Sequence, residues 1–177
     1  MATDMSAHDG PLTIRTHRPG DMCMIAHRFS AEFCAAPWNY DERFEALLGR
    51  SVAGFLDNFH PARDRCWIAE RDGVFMGCVA LVQDRDDDRA AKLRLLFTDD
   101  RARGTGVGTA LLTVLVAFAR EAGYESVSLW TQAALLGARR LYQRAGFEIV
   151  ETEEHDLWGP RIVGEIWRLA LQGAGAK

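Results

Sequence analysis

A mixed α/β fold, one central sheet flanked by helices, is the fold class this sequence predicts. Stretches that read as strands are interleaved with stretches whose apolar residues recur at helical spacing. Their order is strand, two helices, three strands, helix, strand, helix, two strands. No repeat, low-complexity tract or linker interrupts them. The 177 residues therefore read as one domain over 12–171, with a flexible leader at 1–11 and a loose tail at 172–177.

Leu12-Thr-Ile-Arg-Thr-His-Arg18 alternates apolar and polar residues and reads as the first strand. After the Pro19-Gly20 turn, Asp21 is a candidate N-cap for a helix to about Ala35, with Met22, Ile25, Ala26, Phe29 and Phe33 on one stripe. The break Pro37-Trp-Asn-Tyr40 leads to Asp41, which caps a second helix carrying Phe44, Leu47, Leu48, Val52, Phe55 and Leu56 inward. A hairpin follows. Arg65 to Glu70 and Val74 to Val82 flank Asp72-Gly73, the pair that a tight type I′ turn wants. The charge run Asp84 to Arg89 reads as a solvated turn. Leu93-Arg-Leu-Leu-Phe-Thr98 is a buried strand, and Ala110 to Ala122 a helix with Leu111, Leu112, Leu115, Phe118, Ala119 and Ala122 on one face, stopped by Gly123. Ser126 to Thr131 is a strand, Ala134 to Ala145 a helix closed by Gly146, Phe147 to Thr152 a strand, and Ile162 to Leu171 the last strand.

Composition narrows the function classes. An apolar fraction of 48% and a charged fraction of 26% are those of an ordinary globular chain. A net charge of −4 and a pI near 5.7 argue against a nucleic-acid partner, which needs a basic face. The polar N-terminus Met1 to Gly10 lacks the apolar core of a signal peptide, and the longest apolar run, Ala110 to Ala119, is too short to span a bilayer. No membrane partner is expected. Cys23, Cys34, Cys66 and Cys78 are scattered, without a C-x-x-C pair or a His at metal-ligand spacing. They read as buried thiols in a reducing cytoplasm, and no metal site is expected.

The chain is organised around Arg101-Ala-Arg-Gly-Thr-Gly-Val-Gly-Thr109, between the buried strand and the apolar-faced helix. Strand, glycine loop, helix is a geometry in which backbone N–H groups at a helix N-terminus hold a phosphate. Three patterns compete for it. A Walker A loop needs a Gly-Lys pair, and none occurs. A dinucleotide fingerprint needs G-x-G-x-x-G after the first strand of a repeating βαβ unit, whereas this loop is G-x-G-x-G and lies downstream of a hairpin. The third pattern fits: Arg101-x-x-Gly104-x-Gly106 resembles the acyl-CoA loop of the GNAT acetyltransferase family, R/Q-x-x-G-x-G/A. Ala138-Arg-Arg-Leu-Tyr142-Gln-Arg-Ala-Gly146-Phe147 resembles that family's downstream helix motif, A-x-x-x-Y-x-x-x-G-F. More narrowly, Phe59 to Glu70, Ala91 to Phe97 and Leu129-Trp-Thr131 resemble the acetyltransferase half of fusions with a MarR-type winged-helix regulator, over roughly residues 12–171.

The resemblance implies the GNAT fold, acetyl-CoA as co-substrate and a homodimer. It implies that the backbone of Leu96, Phe97 and Thr98 bonds the pantetheine arm and the thioester oxygen. The N–H groups of Arg103, Gly104, Thr105, Gly106, Val107, Gly108 and Thr109 would take the pyrophosphate, with charge from Arg101 and Arg103. Tyr142 is the implied general acid: its ordinary pKa near 10 lies above that of a thiol, so it keeps its proton and can donate a hydrogen bond or the proton to a departing thiolate.

Two departures from the family stand out. Strand alternation puts Ala90, Lys92, Arg94 and Leu96 on one face, and none is the glutamate that many relatives place there as a base. Leu135 stands where many relatives have an asparagine that bonds the cofactor. Glu70, His155 and Glu165 are the remaining candidate bases. Arg94, a charge in an apolar strand, is costly to bury alone; it either clamps an acceptor carboxylate or pairs with an acid inside the fold. Trp38, Tyr40, Trp130 and Trp158 are candidate walls of an acceptor cleft. Together these readings point to an acetyl-CoA-dependent N-acetyltransferase of a small primary amine, with or without a carboxylate, with Arg94, Trp130 and His155 toward the acceptor. The alternatives are a peptide or protein amine as acceptor, a non-catalytic acyl-CoA sensor, and an aminoacyl-tRNA acetyltransferase, which the low pI disfavours.

Overall fold

The computed structural model describes residues 10–171. The tail at 172–177 and most of the leader at 1–11 lie outside them. Seven strands form one sheet in the order β1-β2-β3-β4-β5-β7-β6. They are β1 (Thr13–Thr16), β2 (Arg65–Arg71), β3 (Val74–Gln83), β4 (Ala90–Thr98), β5 (Ser126–Gln132), β6 (Glu148–His155) and β7 (Ile162–Ala170). All neighbours are antiparallel except β4 and β5. The helices are α1 (Asp21–Phe33), α2 (Glu42–Asp57), α3 (Val107–Glu121) and α4 (Leu136–Arg144), with one 3-10 turn at Asp100–Ala102. The mixed sheet and the element order are those the sequence predicts.

Local chemistry explains most boundaries. The Asp41 carboxylate accepts the Arg43 N–H and caps α2. Asp72 and Gly73 have φ of 51° and 73°, as a type I′ turn requires. At α1 the expected cap is displaced: Gly20, at φ 98°, is the N-cap, and Asp21 is the first helical residue. The Asp21 carboxylate instead accepts the Arg18 N–H and an ion pair from Arg15 at 2.6 Å. Helix α3 starts at Val107, three residues before the expected Ala110, so the last part of the glycine loop is already helical.

One core layer lies between α3 and the sheet, where Leu111, Leu115, Val127 and Trp167 are almost fully buried. The opposite layer lies under α1 and α2, with Met22, Ile25, Val52 and Phe55 against Cys66, Ile68 and Cys78. Leu56, expected inward, is 50% exposed, because α2 presents Val52 and Phe55 to the sheet instead. Of the four thiols, Cys66 and Cys78 are buried, whereas Cys23 is exposed and Cys34 half-buried, correcting the expectation that all four are interior.

The sheet is not continuous at its centre. β4 and β5 pair only at Ala90, Ala91 and Lys92 with Ser126, Val127 and Ser128, and then part into a wedge. The cause is a bulge in β4. Ala80 of β3 faces Arg94 and Cys78 faces Phe97, so Val79 stands opposite two residues, and Leu95 takes a left-handed φ of 54°. A bulge shifts side-chain parity. Leu95 and Phe97 therefore pack with the α1/α2 layer, and Leu96 with the α3 layer. Leu96 does not share a face with Arg94, as plain alternation predicts.

The bulge needs Gly77. A Cβ there would stand 2.6 Å from the Phe97 carbonyl oxygen, a backbone atom that cannot swing aside, and 3.2 Å from Leu111. Gly77→Ala should cost about 1–3 kcal/mol, the usual range for overpacking, and a urea titration followed by circular dichroism reads the loss.

Candidate functional site

The glycine loop follows directly from the open arm of β4. Gly104 and Gly106 have φ of 77° and 88°, and Gly106 is the N-cap of α3. No side chain caps that helix, and among the described residues no backbone carbonyl takes the N–H groups of Val107, Gly108 and Thr109. A Cβ added at Gly104 or Gly106 would meet nothing, so the space over these amides is open. Gly108 differs: its Cβ position lies 3.2 Å from Leu141 and 3.5 Å from the Thr98 hydroxyl, so it lets α3 sit close to α4 and β4. Val107 is fully buried and offers only its amide. The Thr105 N–H and hydroxyl both bond the Ala102 carbonyl, which tightens the loop.

Both loop arginines are engaged. Arg101 Nε donates to Asp99 Oδ1 at 2.7 Å, and this pairing holds the Asp99 carboxyl below the usual carboxylate range. Arg103 pairs with Glu32 at 2.9 Å and with Asp100 at 2.6 Å. The open amides, not these side chains, are the unneutralised part of the loop.

Beside the wedge is a cavity of about 350 Å³. Phe29, Phe33 and Phe44 of α1 and α2 give it aromatic walls, with Leu95 and Leu96 of the bulge, Trp130 of β5 and Trp158. Its polar lining includes Arg94, Gln132, Tyr40, Tyr142, Glu153 and His155. A larger chamber of about 770 Å³ lies on the α2 side and shares Leu47, Ser51, Arg94 and Leu95 with the first. Trp38 is not among the lining residues; it packs on Phe33.

Tyr142 stands on α4 with its ring against Phe147 and Trp167. Burial pushes its pKa up, so it holds its proton across the ordinary pH range. No described residue hydrogen-bonds its hydroxyl. Arg94 makes no ion pair among the described residues; the nearby Asp84 pairs with Lys92 at 2.7 Å. Desolvation by the surrounding protein lowers the Arg94 pKa, partly offset by the charge of Asp84. Its side chain is nonetheless accessible, from the two chambers it borders. The acid partner weighed for it from sequence is not found.

The three candidate bases separate. Glu70 is bound to Arg15 at 2.7 Å and does not line the cavity. Glu165 is 4% exposed and accepts from Arg139 Nε and Trp167 Nε1. His155 lines the cavity, 4.9 Å from Trp158 and 5.6 Å from Trp130 between ring centres, while Trp130 Nε1 donates to Glu153 at 2.9 Å. Gly164 makes room for that indole: its Cβ would stand 2.7 Å from Trp130 Nε1. Sequence reasoning missed Glu153, and also Gln132. Buried at 2% exposure, it accepts a hydrogen bond from the Tyr40 hydroxyl at 2.8 Å. Its position on the alternation of β5, two beyond Trp130, was the available signal.

Among the described residues, no group of three or more His, Cys, Asp or Glu side chains is placed to hold a metal ion, and no helix is long and apolar enough to cross a membrane. Comparison with known proteins agrees with the geometry. The model of the acetyltransferase (GNAT) family matches residues 26–147. An N-acetylaspartate synthetase of Danio rerio is 38% identical over 152 residues, covering 78% of this chain and 54% of that protein. Human N-acetyltransferase 8 is 34% identical over 116 residues, 63% of this chain and 50% of its own length. The chain thus spans about half the length of the curated relatives it matches. Among solved structures, Salmonella typhimurium yncA, crystallised with its cofactor acetyl-CoA, superimposes with a TM-score of 0.72 at 17% identity, over 95% of this chain and 98% of that one. The Escherichia coli ribosomal-protein-S18-alanine N-acetyltransferase gives 0.69 at 20% identity, over 94% and 98%. From the wedge, the open glycine loop and the match over residues 26–147, the chain belongs to the GNAT acetyltransferase family.

Proposed function

We propose that this protein is an acetyl-CoA-dependent N-acetyltransferase whose acceptor is a small primary amine carrying a carboxylate. The observation that carries the acceptor class is Arg94, a guanidinium without an ion-pair partner among the described residues, at the border of the two chambers. A guanidinium binds a carboxylate through paired, charge-assisted hydrogen bonds. N-acetylaspartate, named for the Danio rerio relative, is the product of such an amine.

The residues fit acetyl-CoA. The open amides of Gly104, Gly106, Val107, Gly108 and Thr109 would hold the pyrophosphate, with the helix dipole of α3 behind them. The backbone of Leu96, Phe97 and Thr98, on the open arm of β4, would hold the pantetheine arm. Bound there, acetyl-CoA supplies a thioester whose acyl carbon bonds the amine as its C–S bond breaks. Tyr142, which burial keeps protonated, donates a hydrogen bond, or the proton itself, to the departing sulfur. His155 removes the amine proton, directly or through water, since it is the one candidate base that reaches the cavity. The aromatic walls keep bulk water from the reacting groups.

The same proposal includes a homodimer, a cytoplasmic location and kinship with the acetyltransferase half of MarR-type fusions. A peptide amine is the second reading of the acceptor, favoured by the 770 Å³ chamber, which is roomy for a single amino acid. A non-catalytic acyl-CoA sensor would bind acetyl-CoA without releasing thiol in the presence of any amine.

Thiol release with acetyl-CoA and a panel of amines tests the proposal, and a turnover-free result on every amine rejects it. Arg94→Ala should raise KM for a carboxylate-bearing acceptor about tenfold or more and leave KM for acetyl-CoA nearly unchanged. Tyr142→Phe should lower kcat by about 10²-fold with acetyl-CoA affinity retained, as loss of a general acid requires; an unchanged kcat removes Tyr142 from that role. Gly106→Glu puts bulk, negative charge and an unfavourable φ of 88° at the anion site, and should abolish acetyl-CoA binding in a calorimetric titration.

A further inference from the structure

Gln132 is a buried polar side chain that the proposed chemistry leaves unused. It ends β5 on the open arm of the wedge, is 2% exposed and lines the aromatic cavity. The Tyr40 hydroxyl donates to Gln132 Oε1 at 2.8 Å. Burial raises the Tyr40 pKa to about 12, so this hydroxyl keeps its proton and remains a donor. With Oε1 held by Tyr40, the two N–H bonds of Nε2 point away from it, and no described residue accepts either of them. The amide N–H₂ is open to the cavity and not sealed in the core, so an acceptor atom brought by a ligand can take the place of solvent on it.

The ligand that supplies it follows from position. Alternation along β5 puts Trp130 and Gln132 on the α1/α2 face, opposite Leu129, which packs in the α3 layer. Arg94 borders the same cavity from the other arm. The amides of the glycine loop belong to α3, on the far face. Gln132 therefore faces the acceptor side, where an anionic oxygen is the strongest available partner for an amide donor.

We propose that Gln132 binds the acceptor's carboxylate through Nε2, as a second donor beside Arg94, and that Tyr40 is the positioning residue that fixes the orientation of its amide. The proposal rests on the carboxylate-bearing acceptor argued above. It makes Gln132 a specificity determinant: an acceptor whose carboxylate is replaced by a carboxamide loses the charge-assisted part of both contacts.

The test uses the full chain with acetyl-CoA, the twenty amino acids and their C-terminal amides, followed by thiol release. For the best amino acid, the readout is the ratio of kcat/KM between the acid and its amide. Gln132→Leu, close in size and suited to an apolar cavity, should lower that ratio about tenfold, with KM for acetyl-CoA unchanged. Gln132→Glu should lower it further, because carboxylate would face carboxylate. Tyr40→Phe should lower it in the same direction by a smaller factor, and it carries the test if a Gln132 variant does not fold. An unchanged ratio in folded Gln132→Leu and Tyr40→Phe overturns the proposal. So does a rise in KM for acetyl-CoA instead of the acceptor, or a fall in kcat alone, which would place the amide at the cofactor or at the reacting carbonyl. Arg94→Ala separates the two levels: if it abolishes acid preference while the Gln132 variants do not, the acceptor class stands and this assignment falls. No turnover with any amino acid overturns both.

Discussion

The structure turns on one backbone angle. With Leu95 in the left-handed region, β4 takes one residue more than β3 opposite it and bends away from β5. A non-glycine residue there is strained, and the strain is held by what surrounds it. Gly77 lets the Phe97 carbonyl come close, and the Cys78 thiol donates to the Leu95 carbonyl at 3.3 Å. Everything specific to the site follows from that bend. The wedge opens, Leu95 turns to the α1/α2 side next to Arg94, and the arms of both strands keep inner edges with no ladder partner. A regular parallel pair through Thr98 and Gln132 would leave no place for an acyl chain to enter the sheet.

The wedge also separates two kinds of polarity. On the α3 side the charged side chains are paired off, Arg101 with Asp99 and Arg103 with Glu32 and Asp100, leaving amides as the open donors. On the α1/α2 side the polar groups are set in an aromatic wall and partly unpaired, Arg94 and the Gln132 amide among them. Polar groups without protein partners, gathered at one cavity, mark what the cavity takes in.

Much of this was legible in the sequence, and the failures share causes. Element types and order follow from periodicity, and the loop and the Tyr142 helix follow from motif residues at fixed spacing. Boundaries slipped where glycine replaced a side-chain cap, as at Gly20 and Gly106, because a glycine N-cap leaves no polar signature in the sequence. The faces of β4 were misassigned because a bulge at Leu95, a residue with no β-bulge signature, breaks the period of two. The fate of Arg101, Arg103, Glu70 and Glu165 could not be read because their partners are distant in sequence or set by a turn, Glu32 for Arg103 and Arg139 for Glu165. Gln132 escaped notice in the same way: its meaning depends on Tyr40, ninety-two positions earlier.

The paired arginines of the loop have one more consequence. Point charges exposed on a surface lose most of their pull in salt, whereas amide dipoles in direct hydrogen bonds to an anion are screened far less. Because Arg101 and Arg103 already have carboxylate partners, the grip proposed for the loop on a diphosphate would depend little on the ionic strength of the medium. On the proposed function the two sides of the wedge would respond to salt differently: the amides would keep their anion, while the solvent-reachable guanidinium of Arg94 would give up part of its hold on a carboxylate.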